Sequence, residues 1–419
     1  MKSMKTISIS LLVLSGALLG ARGEEYRTDI NPALLYYRAL LATPAYLSDA
    51  DQNYLESKKG REQKLPDRFG PIVAESDNLF QLVHQAAHAT VPCDWGIDLN
   101  VGPNAILPHL GRLKALSQTA QLRARWALEH GRQADARDEL LTAFVMGRQA
   151  ASDGLLISTA VQFAMEGINY GTVAQHFGKF SPETLKQLVD GFDAAPARHT
   201  VAACMPTEKG LGDWTVRKLM ELRKAYPGDD AKVMAGFRQS GVVTIFEFVG
   251  DTNFWPRLLS ASGGTSDGTR KLLDESTSFF PRIARIMELP PAEYEAQAKE
   301  LRAEINASPN PFVNMFKLIL GWQNWQFRPR EFRCQAQSAM VHAAVEYKLH
   351  GEAGFKSVMD PFGNGPFAFR RFVFKGVDRG FELKSACAGP EAPFVMIFVE
   401  KPGAAFQVSG PDAGKAIAQ

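Results

Sequence analysis

The sequence predicts a mainly α protein, built of stacked antiparallel helical hairpins of α-solenoid or α/α-like type and closed by a small C-terminal antiparallel β meander. Three observations carry that expectation. Through 105–129, Ile106, Leu110, Leu113, Leu116, Ala120, Ala124 and Ala127 recur at three- and four-residue steps, the spacing of one helix face. The segment 155–177 is nearly apolar all round, as a helix buried at the centre of a bundle must be. Beyond 360 the pattern changes to short aromatic and β-branched runs between clusters of Gly, Pro and Asn, which is strand and turn chemistry.

Taken in order, Asn31-Pro32 reads as a helix start, because asparagine caps free amides and proline's fixed φ suits the first helical position. Ser48 with Asp51 three residues on is a second start, close to a capping box. The charged stretch 55–71, broken by Pro66 and Gly70, reads as a loop. A helix over 133–151 follows the one over 105–129 after the short turn His130-Gly131-Arg132, so the two should pack antiparallel. Ser181-Pro182-Glu183-Thr184 caps a further helix, and 214–225, 231–249, 272–287, 291–306, 311–326 and 329–349 fit helices as well. Gly263 and Gly264 place a flexible loop near 260–268, a possible lobe boundary. The turn 360–366 then leads into strands over 367–374, 380–385 and 394–399. The organisation expected is thus a leader over 1–23, a helical domain over 24–355 and a β meander with tail over 356–419.

Gly131 at the turn, with Ala136, Leu140 and Ala143 at small and large packing positions, resembles a single tetratricopeptide hairpin. Alanines at 124 and 127 replace that family's large residues, and no second copy follows at its period. The stretch from Asp360-Pro361-Phe362 through the arginine-bearing strand to Leu383 resembles a segment that closes uncharacterised exported helical bacterial proteins. That resemblance implies no activity.

With 45% apolar and 22% charged residues, the 419-residue chain has the balance of a globular protein with material for a large core. Lys2 and Lys5, the apolar run 7–19 and Ala21-Arg22-Gly23 have the layout of a bacterial-type secretory leader. A soluble periplasmic or secreted product is expected, with no membrane span after the leader is removed. The nearest later apolar run, 312–322, is too short and contains Lys317. Without the leader the chain carries 44 basic against 45 acidic residues, mixed in sign throughout, so no nucleic-acid partner is expected. Cys93, Cys204, Cys334 and Cys387 permit two disulfides in an oxidising compartment, sequence neighbours being the favoured pairs; buried free thiols are the alternative in a chain this large.

Three places hold residues suited to chemistry. His84 and His88 stand four apart, so a helix puts both imidazoles on one face at metal-binding spacing, with Cys93 and Asp94 near in sequence; Gln85 replaces the glutamate of a hydrolytic zinc helix. Asp94 and Asp98 flank Trp95, a combination suited to sugar binding or to glycoside cleavage by paired carboxyls. The alternative is a tryptophan anchored in the core between aspartates that cap amides. Thr159, Gln162, Glu166 and Asn169 form one polar stripe on the apolar helix 155–177, which either lines a ligand cavity, with Glu166 desolvated, or grazes solvent. No phosphate loop, calcium loop or Gly-x-Ser-x-Gly elbow is complete, and no cofactor is expected. The functional expectation is an exported non-enzymatic binding or scaffold protein presenting a helical surface to a peptide, protein or envelope polymer. A glycan-active enzyme on an α/α toroid, using Asp94, Asp98 or Glu166, is the alternative, and a zinc protein using His84 and His88 a third.

Overall fold

The computed structural model describes residues 27–41, 47–242, 251–319, 326–387, 393–403 and 405–417. The expected leader over 1–23 lies outside them, as do 243–249 and 320–325 of two expected helices. The chain is mainly helical and ends in a small three-stranded antiparallel sheet. No helix among the described residues is long and apolar enough to cross a membrane.

Five short helices come first: α1 (Pro32–Leu41), α2 (Asp49–Glu56), α3 (Lys58–Glu62), α4 (Phe69–Glu75) and α5 (Asp77–Ala87). Asn31 caps α1 by accepting from the Ala33 amide at 3.1 Å, and Ser48 caps α2 by accepting from Asp51. The expected loop over 55–71 is instead partly helical. Ser57 ends α2 and opens α3, its Oγ accepting from the Gly60 amide at 3.1 Å and donating to the Tyr54 carbonyl at 2.6 Å. One hydroxyl thus serves two helix ends, a local bond that hydropathy does not reveal.

The central layer is α6 (His109–Glu129), α7 (Gln133–Ala150) and α8 (Leu156–Gln175), followed by α9 (Pro182–Ala194). Gly131 makes the turn between α6 and α7 at φ +74°, where a side chain would be strained. Leu110, Leu113, Leu116, Ala120, Ala124 and Ala127 are all buried, whereas Ile106, ahead of the helix, is exposed. α10 (Val201–Ala225) starts well before the expected 214, since Thr200 caps it from outside and Pro206 is tolerated inside it. α11 (Asp230–Gln239), α12 (Phe254–Ser262) and α13 (Ser266–Thr277) share a core of Leu219, Val233, Phe237, Phe254, Leu258 and Leu273. Gly263, at φ +62°, ends α12 in the left-handed region, and the 263–265 turn connects two helices of one core. The glycine pair is therefore a hairpin turn, not a division between lobes. Ser278 separates α13 from α14 (Phe279–Met287), and α15 (Pro291–Ala307), α16 (Phe316–Ile319) and the long α17 (Phe327–Ser357) complete the helices.

Strands β1 (Ala368–Phe374), β2 (Val377–Lys384) and β3 (Val395–Val399) pair in sequence order, with Phe372 opposite Gly380 and Phe381 opposite Phe398. Asp360 of the Asp-Pro-Phe turn is buried and pins this sheet to α17. Its carboxylate accepts from the Ser385 hydroxyl at 2.9 Å and from the amides of Phe362 at 3.0 Å and Ala386 at 2.6 Å. The sheet is not a separate unit, for Phe177 packs edge-on against Phe381 and Phe398 within the same core as α7, α8, α14 and α17. Where the chain turns after α8, a Cβ on Gly178 would stand 2.1 Å from the Glu400 carbonyl oxygen, so that close approach requires glycine.

The disulfide expectation is corrected: Cys93, Cys204, Cys334 and Cys387 are free thiols. Cys204 donates to the Thr200 carbonyl at 3.3 Å and Cys334 to that of Phe163 at 3.5 Å, so both serve as small core residues with a weak donor. Burial raises the thiol pKa of Cys93 and of Cys204 to about 12, which suppresses thiolate chemistry.

Candidate functional site

The polar stripe of α8 neither lines a cavity nor grazes solvent. Thr159, Gln162, Glu166 and Asn169 are at most 1% exposed because the extended segment between α9 and α10 lies across them. Gln162 exchanges hydrogen bonds with the His199 backbone, donating to its carbonyl at 3.3 Å and accepting from its amide at 3.2 Å. Thr159 Oγ1 lies 3.1 Å from Cys204 Sγ, and Asn169 donates to the carbonyl of Met165 in its own helix. Glu166 sits between two arginines absent from the expected set. Arg198 donates to its Oε2 from Nε at 2.9 Å and from Nη2 at 2.7 Å, and Arg148 Nε is 2.9 Å from Oε1. Arg198 Nη2 also reaches the Tyr170 hydroxyl at 3.3 Å, and the Arg148 guanidinium lies over the Phe144 ring. The Glu166 charge raises the Arg198 pKa further, against the effect of burial. These are the contacts of an internal clamp.

The Cys93–Asp98 loop is an anchor as well. Trp95 is 4% exposed, donates to the Gln149 carbonyl at 2.8 Å and stacks on the buried His109 ring with centroids 4.1 Å apart. Asp94 accepts from the Gly96 amide and Asp98 from the Asn100 amide, each at 2.9 Å in its own tight turn. Asp94 and Asp98 are exposed while Glu166 is sealed beneath Arg198, so the three carboxyls expected for glycan chemistry share no cleft. His109 was not expected at all. Neither ring nitrogen has a hydrogen-bond partner, and burial lowers its pKa to about 4.

His84 does line a site. Between α5, α6, α7 and the end of α9 runs a groove of about 1300 Å³ whose walls include His84, His88, Arg123, Glu139, Thr142 and Leu141. The His84 ring is fixed at both nitrogens, with Nδ1 3.1 Å from the Thr142 hydroxyl and Nε2 3.4 Å from Glu139 Oε2. Arg123 links the walls. It donates from Nε to Glu139 Oε1 at 2.8 Å, and from Nη1 to the Val73 carbonyl, the Ser76 hydroxyl and Asp77 Oδ1 at 2.7–2.9 Å. Glu139 is only 6% exposed, yet its Oε2 makes no hydrogen bond, an unusual state for a buried carboxylate oxygen facing a groove. His88 is turned back on its helix, Nδ1 lying 2.8 Å from the His84 carbonyl. Among the described residues no three His, Cys, Asp or Glu side chains are grouped so that they could hold a metal ion, so the expected histidine pair does not extend to Cys93 and Asp94.

Arg123, Glu139 and Thr142 escaped the sequence reading, although a signal was present. Glu139 and Thr142 stand three apart on α7 among the core residues Ala136, Leu140 and Ala143, and a carboxylate so placed on a buried face requires a partner. Compared with known protein families, curated proteins and solved structures, the chain matches none.

Proposed function

We propose that the protein is an exported binding protein whose α5–α9 groove receives an extended peptide segment carrying charges of both signs. The observation that carries this reading is the unsatisfied Glu139 Oε2 on the wall of a groove large enough for several side chains. Along the rims the charges are paired, Arg132 with Asp135 and Arg137 with Asp138, at 2.7–2.9 Å. Exposed pairs of this kind exchange partners at little cost. Half-buried Leu141, Val145 and Trp126 between them provide apolar contact. A lysine or arginine of the ligand, reaching Glu139 beside His84, would satisfy the orphan oxygen. The leader-like N-terminus supports export.

The test is a fluorescence-anisotropy screen of mixed-charge peptides against the wild type and Glu139→Gln. Binding that weakens about tenfold in the variant, the scale of one charge-assisted hydrogen bond, supports the reading. Equal affinity for both proteins removes it, as does measured glycan turnover without peptide binding.

A further inference from the structure

A second cleft, sharing α6 with the groove but none of its lining residues, has a different electrostatic character. It holds about 530 Å³ between α3, the C-terminal turn of α6, the turn after α8 and the end of β3. Arg61, Lys64, Arg125 and Lys179 line it against Glu62, Glu129 and Glu400. The carboxylates are largely committed elsewhere or shared. Glu400 is held by Arg371 of β1 at 2.7 Å, and Glu129 accepts from the Leu65 amide at 2.7 Å while serving Arg125 at 3.0 Å and Lys179 at 3.8 Å.

The cations retain unused donors. Arg125 is 8% exposed; it donates from Nε to Glu129 and from Nη2 to the Gln63 carbonyl, and its Nη1 makes no hydrogen bond among the described residues. Arg61 donates its Nε to the Glu56 carbonyl and has no carboxylate within ion-pair distance among the described residues. The field they create is felt by their neighbours. Burial first, and then Lys179, Arg125 and Arg61, hold the His176 imidazole well below its ordinary pKa. Burial and Arg125 lower Lys179 in the same way.

We propose that this cleft binds a phosphate group carried on a small organic body. Converging guanidinium forks and an ammonium match a tetrahedral, multiply charged oxyanion, and the volume lies in the range of small-molecule sites, well beyond a bare ion. The position also matters, because a bound phosphate would bridge the helical layer at Arg61 and Lys179 to the sheet at Pro402 and Gly403. A free phosphate ester and a phospholipid headgroup present the same chemistry to it.

Titration calorimetry with glycerol 3-phosphate, and flotation with phosphatidylglycerol vesicles against phosphatidylcholine vesicles, separate those sources. The substitutions are Arg61→Gln and Lys179→Gln together, because Arg125 also supports the fold. One-to-one binding of the ester or selective flotation with phosphatidylglycerol, weakened about tenfold or more in the double variant, supports the assignment. The His176 ring resonances should then titrate at higher pH in the presence of the ester, a shift that general surface attraction would not produce. Neither ester nor vesicle binding, or binding equal in wild type and double variant, overturns it. Glu139→Gln leaves this site intact, so its failure is distinguishable from that of the peptide groove.

Discussion

Two arginine–carboxylate clusters lie on α7, and they have opposite fates. Around Glu166, Arg148 and Arg198 take both carboxylate oxygens, Tyr170 takes a remaining donor, and the acid is 0% exposed. Around Glu139, Arg123 takes one oxygen, the other has no hydrogen bond, and the cluster borders a groove. Desolvating a charge is tolerable where every lone pair is matched, and such a cluster then holds elements together without recognising anything. A cluster left one bond short at a surface has something to offer a ligand. Completeness of pairing, more than burial, distinguishes the two.

The largest effect should come from breaking the closed cluster. Glu166→Ala leaves two guanidinium groups facing each other without a counter-charge and should cost about 3–5 kcal/mol. Glu139→Ala, with His84 and Arg123 closer to water, should cost about 1–3 kcal/mol. Urea unfolding of both variants measures the contrast, and a larger loss for Glu139→Ala would invert the argument. A smaller and opposite effect is expected when the closed cluster is replaced whole. Arg148→Met, Glu166→Leu and Arg198→Met together should leave stability unchanged or raise it by about 1–4 kcal/mol, since the desolvation cost disappears with the charges. A triple variant as unstable as Glu166→Ala would show that the clamp supplies more than charge balance.

The smallest effect is pH-dependent and belongs to His109. An unfolded histidine takes up its proton near 6.5, whereas buried His109 stays neutral down to about 4. The unfolded state therefore binds more protons within that window, so the His109 contribution is fully present above about 6.5 and is lost as pH falls toward 4. His109→Phe keeps the stacking on Trp95 and removes the titration. Relative to wild type, it should gain stability progressively as pH falls from 6.5 to 4; parallel profiles would contradict this.

Periodicity made the α6–α7 hairpin legible, and the caps at Asn31, Ser48 and Ser181 were legible because capping is a local bond written in adjacent residues. α3 was hidden among charges, and the start of α10 was hidden by Pro206, because in both cases a single cap outside the apolar pattern decides the outcome. In the candidate sites the limit was pairing across the fold. The stripe at Thr159, Gln162, Glu166 and Asn169 could be drawn on a helix wheel, but Arg198 lies 32 residues away in an unpatterned segment. His84 was visible as half of a histidine pair, while its actual partner, Glu139, is on another helix. Trp95 was visible as an aromatic between acids, and only packing showed that it faces inward, toward His109.

The largest apolar cluster draws on Ala124 near one end of the chain's central layer and on Phe406 and Val408 close to the C-terminus. A ribosome delivers those last two residues only after nearly everything else has emerged. Until then Phe177 and the aromatics of α17 have no lid, and the nascent polypeptide has an open interior. Completion of the fold is thus timed by the end of synthesis, and a stop codon placed just before β1 would strand a long helical chain with its wettest surface where its driest should be.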